Sequence, residues 1–302
     1  MINVLYLPVP QPGSLQSFEP YFSLAVANRE RLQRTFFCLV TVLLIYRFVD
    51  GLMLHSIGRS PVLDQEPDPA YWVVMMLRLP DLFSGAAAMC FDGLLVAFAA
   101  ACALFIGVRL LPIIFFAGYF LYFMLFNLSA GHHYINFAII WLSAAFIFQK
   151  ESFGYWWAFA RFVFMLMMFA SGCWKVIRGN FWENGHLQMI MQTRPGFFRM
   201  VEAGSGPRYH LAKWLFQHPA IGVVAWDFLI VFELVFVIGF FSFRRDLMLL
   251  AAYLGFFFGS LLLTSMYNLE NLLFLFTLYP VLRLLSKRRN VRARQGPLPV
   301  VN

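Results

Sequence analysis

A chain of 302 residues that is 61% hydrophobic and only 13% charged, with a mean hydropathy of +0.70, cannot have water as its main solvent, because soluble domains carry about 25% charged residues. Its net charge of +8 and pI near 9.5 would point to nucleic acid in a soluble protein. In a membrane protein the location of Lys and Arg reports topology instead, so nucleic acid is not an expected partner.

The N-terminal segment 1–33 contains Pro8, Pro10, Pro12 and Pro20 and no apolar run of signal-peptide length, so it is expected to be retained, on the cytoplasmic side. Crossing a bilayer takes about 20 apolar residues per helix. Eight stretches meet or approach that length, at 35–54, 84–107, 110–126, 134–148, 155–176, 221–241, 247–264 and 271–285, the fourth and eighth being short. The expected fold is therefore all-α, a polytopic bundle of about eight transmembrane helices filling 34–286. A first outer loop covers 55–81. A longer one, 177–220, mixes Trp182, Phe197, Phe198, Trp214 and Phe216 with basic residues, a composition that suits interfacial helices on the outer surface, roofing a cavity. A basic tail, 287–302, closes the chain. An even number of crossings with a cytoplasmic N-terminus puts thirteen Lys and Arg residues inside, among them Arg29, Arg31, Lys150, Arg244 and Arg283, and eight outside, mostly in the long loop. The positive-inside bias agrees with that arrangement.

Chemistry inside a membrane is sought at its ionisable groups, which are expensive to insert. In the first span Arg47 and Asp50 lie three residues apart, on one helix face, where they can form a structural ion pair or line a functional cavity. At the opening of the fourth span Asn127, His132, His133, Tyr134 and Asn136 gather donors and acceptors; they read either as solvated boundary residues or as proton-handling groups. Arg161 lies inside the fifth span. At that span's outer end comes Ser171-Gly172-Cys173-Trp174-Lys175, followed by Trp182 and Gly185. Lys175 is either an interfacial anchor or, if desolvated, a base. Small residues at Ser171 and Gly172 let a neighbouring helix approach closely. The four cysteines, Cys38, Cys90, Cys102 and Cys173, lie in or beside apolar spans without zinc or redox spacing and read as core packing. No metal-binding or phosphate-loop motif is present in the sequence.

Three of these stretches carry a resemblance. Arg47-Phe48-Val49-Asp50-Gly51-Leu52-Met53 is similar to an arginine-aromatic-x-x-glycine pattern, and His132-His133-Tyr134 to a histidine-x-tyrosine span opening. Arg161, the run Phe169-Ala170-Ser171-Gly172-Cys173-Trp174-Lys175 and Trp182-Glu183-Asn184-Gly185 follow an arginine, glycine-x-x-lysine, tryptophan-x-x-glycine order. The segment 233–280 continues more weakly, from the acidic Glu233 to Pro280. Together they resemble the membrane part of the vitamin K-dependent gamma-carboxylases and their bacterial relatives, the horizontally transferred transmembrane (HTTM) proteins. The resemblance implies a bacterial inner-membrane protein with an active site on the outer face. It assigns Lys175 as the base and His132 as its neighbour, and it implies a reduced quinone such as vitamin K hydroquinone as cofactor. The topology separately puts His132, His133, Lys175 and Asp50 at the outer face, where one cavity is expected, with Tyr134, Arg47, Arg161 and Trp182 as its further cavity and proton partners.

The chain departs from the family in the seventh span, where Phe257 and Phe258 stand in place of a histidine, and in ending soon after the last span, without the carboxylase's lumenal domain. Three functions follow as expectations: a base-assisted, carboxylase-like or quinol-linked enzyme; a non-catalytic accessory factor for maturation or export of a peptide or secreted protein; or a structural subunit beside other membrane subunits. Membrane lipid is the partner common to all three.

Overall fold

The computed structural model describes residues 18–56, 72, 75–130, 137–192, 204–264 and 269–294, and among these every regular element is helical. Helix α1, Glu19–Ala27, opens with Pro20 in its first turn and leads through Asn28 into α2, Arg29–Val49. Then come α3, Ala86–Leu104, α4, Leu110–Ala130, and α5, Phe137–Ala145. The longest helix, α6, spans Lys150–Ile177. Two short helices follow, α7, His186–Gln192, and α8, Pro207–Gln217. The chain continues with α9, Pro219–Val235, which tightens into a 3₁₀ turn at Phe236–Phe240, and α10, Asp246–Thr264. A nine-residue 3₁₀ helix, Leu269–Thr277, then bends by 71° into α11, Tyr279–Arg294. Pro207 and Pro219 sit in the first turns of α8 and α9, where a missing N–H costs nothing.

Each of the eight apolar stretches contains helix, but they differ in length. Four helical segments are long and apolar enough to cross a membrane, Arg29–Ser56, Ala86–Leu104, Lys150–Ile177 and Pro219–Phe240, and a fifth if the bent pair at the C-terminus counts as one span. The apolar parts Leu110–Phe126 and Asp246–Leu262 fall just below that length. The nine residues of α5 rise only about 14 Å, under half of a hydrocarbon core.

The core is aromatic. Phe36, Phe37, Phe115, Phe146, Phe153, Trp157, Phe164 and Phe274 are almost fully buried and belong to one cluster, with the rings of Phe164 and Phe274 stacked 5.0 Å apart. The outward faces are apolar as well: Val42, Val49, Leu94 and Leu104 are exposed on the spans, a surface suited to lipid tails rather than water. Cys38 and Cys90 are exposed on this surface, Cys173 is half-buried and Cys102 alone of the four is buried, so the expected core packing holds fully for Cys102 only. The placement of Arg residues is equally ordered. Arg29 donates to the carbonyls of Phe146 and Phe148, and Arg31 to that of Leu285, which gathers the start of α2, the approach to α6 and part of α11 at one end of the bundle.

Within the expected N-terminal segment, α1 packs against α6: a Cβ on Gly154 would stand 3.0 Å from the Phe22 carbonyl, and the Tyr21 hydroxyl donates to the carbonyl of Thr277 at 2.6 Å. At the other terminus, helix α11 runs through the expected boundary at 286 to Arg294. Helices α7 and α8 pack on α9 around Leu187, Met191, Ala212, Leu215, Trp226, Leu229 and Ile230, a small second core.

Candidate functional site

Lys175 stands in the last turn of α6. That helix turns one stripe inward, and the stripe includes Arg161, Met165, Met168 and Gly172 among its buried residues, at the i, i+4, i+7 spacing of an amphipathic helix. Helix α9 answers with Trp226, Ile230 and Glu233, all buried. The two helices approach closely at Gly172, where an added Cβ would meet the Leu234 side chain at 3.0 Å and the Glu233 Cβ at 3.1 Å. Glycine at 172 is what brings Glu233 within reach of Lys175.

The resulting centre is an ion pair between two carboxylate oxygens and one ammonium. Lys175 Nζ donates to Glu233 Oε1 at 2.5 Å and to Oε2 at 2.6 Å, and the Ser171 hydroxyl donates to Oε1 at 3.1 Å. The Lys175 side chain is 22% exposed and that of Glu233 2%. The ammonium also lies over the faces of Trp226 and Phe256, 5.4 and 5.8 Å from the ring centres, a cation–π arrangement. Beside it, the Trp226 indole donates to the Asn180 carbonyl and its ring packs against His186, whose Nδ1 lies 2.7 Å from Glu183 Oε2. Asp227 is buried; its Oδ1 accepts the Trp182 amide at 3.2 Å, while Oδ2 has no hydrogen-bond partner among the described residues.

A second polar centre joins α2, α3, α4 and the C-terminal 3₁₀ helix. Arg47 pairs with Glu270 and lies over the Phe126 ring at 5.7 Å. The neighbouring Tyr119 and Tyr122 are buried, and Tyr122 reaches back toward the Leu52 carbonyl at 3.5 Å. Just past the end of α2, His55 donates its backbone N–H to Asp92 Oδ2 at 2.9 Å and holds Nδ1 at the same distance from that oxygen. Asp92 is fully buried.

The structure separates several residues that the sequence reading placed together. Asp50 is not the partner of Arg47: it lies exposed at the C-terminal cap of α2, because the three-residue spacing carries it past the last helical turn. Arg161 is not a partner of Lys175 either. Fourteen residues along one helix amount to about 21 Å, and Arg161 instead binds Asp246 through Nε at 3.2 Å and Nη2 at 2.5 Å and donates to the Gly239 carbonyl at 2.7 Å. The Trp182 indole is exposed, and this residue, at φ 62°, reaches the site through its backbone N–H alone. His132, His133 and Tyr134 lie outside the described residues. The side chains that sequence reasoning passed over are carboxylates: Asp92, Asp227, Asp246 and Glu270, with Glu233 noted only as opening a span. All but Asp246 and Glu270 lie well inside an apolar stretch. The rule that an ionisable group in a span needs a reason applies to acids as much as to bases, and it would have found Asp92, Asp227 and Glu233.

Among the described residues no three of His, Cys, Asp and Glu are arranged to hold a metal ion. Compared with protein-family models, with curated proteins and with solved structures, the chain matches none.

Proposed function

We propose that this is a membrane protein crossing the bilayer eight times, with both termini cytoplasmic, and that Lys175 and Glu233 form an outer-facing proton-transfer centre for base-assisted chemistry on a quinol-like lipid. The observation that carries the reading is the bidentate contact itself. A charged ammonium and carboxylate held 2.5–2.6 Å apart among aromatic rings pay desolvation twice. Moving one proton from Nζ to a Glu233 oxygen converts the pair to neutral amine and neutral acid at no change in net charge. The amine then carries a lone pair and accepts a proton from an acidic hydroxyl, which restores the ammonium.

The residues fit a hydroxylated aromatic ring. Trp226 and Phe256 flank the ammonium with flat apolar faces, and the Lys175 side chain remains partly exposed. Such a ring, when bound, would supply an O–H acidic enough to protonate an amine. Ser171 keeps the carboxylate oriented, and Gly172 keeps α9 near enough for the transfer. The resemblance to the gamma-carboxylase and HTTM membrane part supports the assignment of Lys175 as base and leaves His132 as its expected neighbour.

A second reading takes the same pair as a staple between α6 and α9, in an accessory factor or structural subunit; the use of Arg161–Asp246 and Arg47–Glu270 to join distant segments favours it. The full chain in lipid nanodiscs, titrated anaerobically with a reduced naphthoquinone near neutral pH, separates the two. Proton transfer predicts growth of naphtholate absorbance with wild type and none with Lys175→Arg, which keeps the charge but holds its proton. Equal spectra for the two proteins, with Lys175→Met less stable than either, would leave only the staple.

A further inference from the structure

At the opposite end of the bundle, the bend between the last 3₁₀ helix and α11 opens a cavity of about 520 Å³ beside the start of α10. Phe243, Arg244, Leu247, Tyr279, Arg283 and Leu284 line it. Arg244 and Arg283 are exposed, and among the described residues neither meets a carboxylate. The neighbouring acid, Asp246, already accepts from Arg161 and from the Tyr279 amide. These two guanidinium groups therefore differ from Arg47, Arg161 and Lys175, each of which has its own carboxylate. Each is also joined to an apolar neighbour that would be costly to leave in water: Leu247, three residues after Arg244, is 66% exposed, and Leu284, next to Arg283, is 63% exposed. The paired rings of Phe243 and Tyr279, 4.8 Å apart, form the floor.

Two unpaired cations beside two exposed leucines match one chemistry, a phosphate attached to acyl chains. Guanidinium groups bind phosphate oxygens as a planar fork, and basic pockets between membrane helices bind anionic headgroups. The volume suits a headgroup. We infer that this cavity is a binding site for an anionic phospholipid, whose phosphate is held between Arg244 and Arg283 and whose chains run along Leu247 and Leu284. The inference rests on the bundle lying in a membrane, and not on which leaflet this end faces or on any role for Lys175.

The test uses the full chain, purified and delipidated in detergent, with dioleoyl phosphatidylglycerol and dioleoyl phosphatidylcholine compared by native mass spectrometry. Phosphatidylglycerol should bind more tightly, by about fivefold for each arginine, and the preference should shrink as salt rises. Arg244→Gln with Arg283→Gln should bring the two lipids level. Arg245→Gln, an exposed arginine outside the cavity lining, should leave the preference intact. No preference in the wild-type chain, or an undiminished one in the double variant, overturns the site. Displacement of the lipid by inorganic phosphate at equal concentration would overturn the lipid as occupant. Release of the chain from membranes by alkaline carbonate would instead refute the membrane reading, so the two failures are told apart.

Discussion

Arg47, Arg161 and Lys175 each bring a positive charge into an apolar bundle, and each is met by an acid far away in the sequence: Glu270, Asp246 and Glu233. At this scale the cations were legible in the sequence as misfits in apolar runs, and their partners were not, since hydropathy carries no information on which distant residues a fold brings together. Only Lys175's surroundings were readable, because Ser171 and Gly172 announce a close helix approach. The Arg161–Asp246 pair makes the cost of such misfits measurable. Arg161 is clamped by Asp246 and the Gly239 carbonyl, and both side chains are buried. Asp246→Leu alone should destabilise the protein by about 3–5 kcal/mol by stranding the guanidinium. Arg161→Met with Asp246→Leu should cost much less, which thermal unfolding in detergent, read as a double-mutant cycle, would measure. Additive losses would mean that the two charges do not depend on each other.

Helices were foreseen wherever apolar residues ran long, and the differences lie in what interrupts them. Among its described residues the stretch 134–148 yields the nine residues of α5, and 271–285 is split by a 71° bend between Thr277 and Tyr279. Apolar composition is blind to such breaks, although Pro280, which lacks the N–H a continuing helix needs, marks the second one. Helix α1 is the opposite case, an element that follows a proline-rich stretch of sequence and has Pro20 in its own first turn. It packs against α6 at Gly154 and ties to the C-terminal 3₁₀ helix through the Tyr21 hydroxyl and the Thr277 carbonyl, a contact between residues 256 apart in sequence. Tyr21→Phe removes only the donor and leaves that buried carbonyl unsatisfied, a loss of about 1–3 kcal/mol. A lowered melting temperature for Tyr21→Phe, equal to that of a variant lacking residues 1–27, would mean that the hydroxyl is the main tie. An unchanged melting temperature in both would show that α1 contributes nothing to the bundle's stability.

For the whole molecule, the open question is orientation, and it follows from where the cations collect. Arg29 and Arg31 are fixed to the carbonyls of Phe146, Phe148 and Leu285, and Arg29, Arg31 and Lys150 line one surface pocket. The cations at the starts of α2 and α6 thus converge on a single end, as an orientation signal requires. Lys175 and the 177–220 loop lie at the far end of the 28-residue α6, about 40 Å away by helical rise, and the charges of that long loop carry little weight in insertion. Translocating the cluster around Arg29, together with the basic residues of α11, would cost far more than retaining it, so this end is expected to stay in the cytoplasm. A reporter enzyme fused after Asn302 should therefore read cytoplasmic, and one inserted at Gly204, exposed at φ 61° ahead of α8, should read external. A cytoplasmic signal at Gly204 would place Lys175 and Glu233 on the inner face and remove the outer-facing centre from the proposed function.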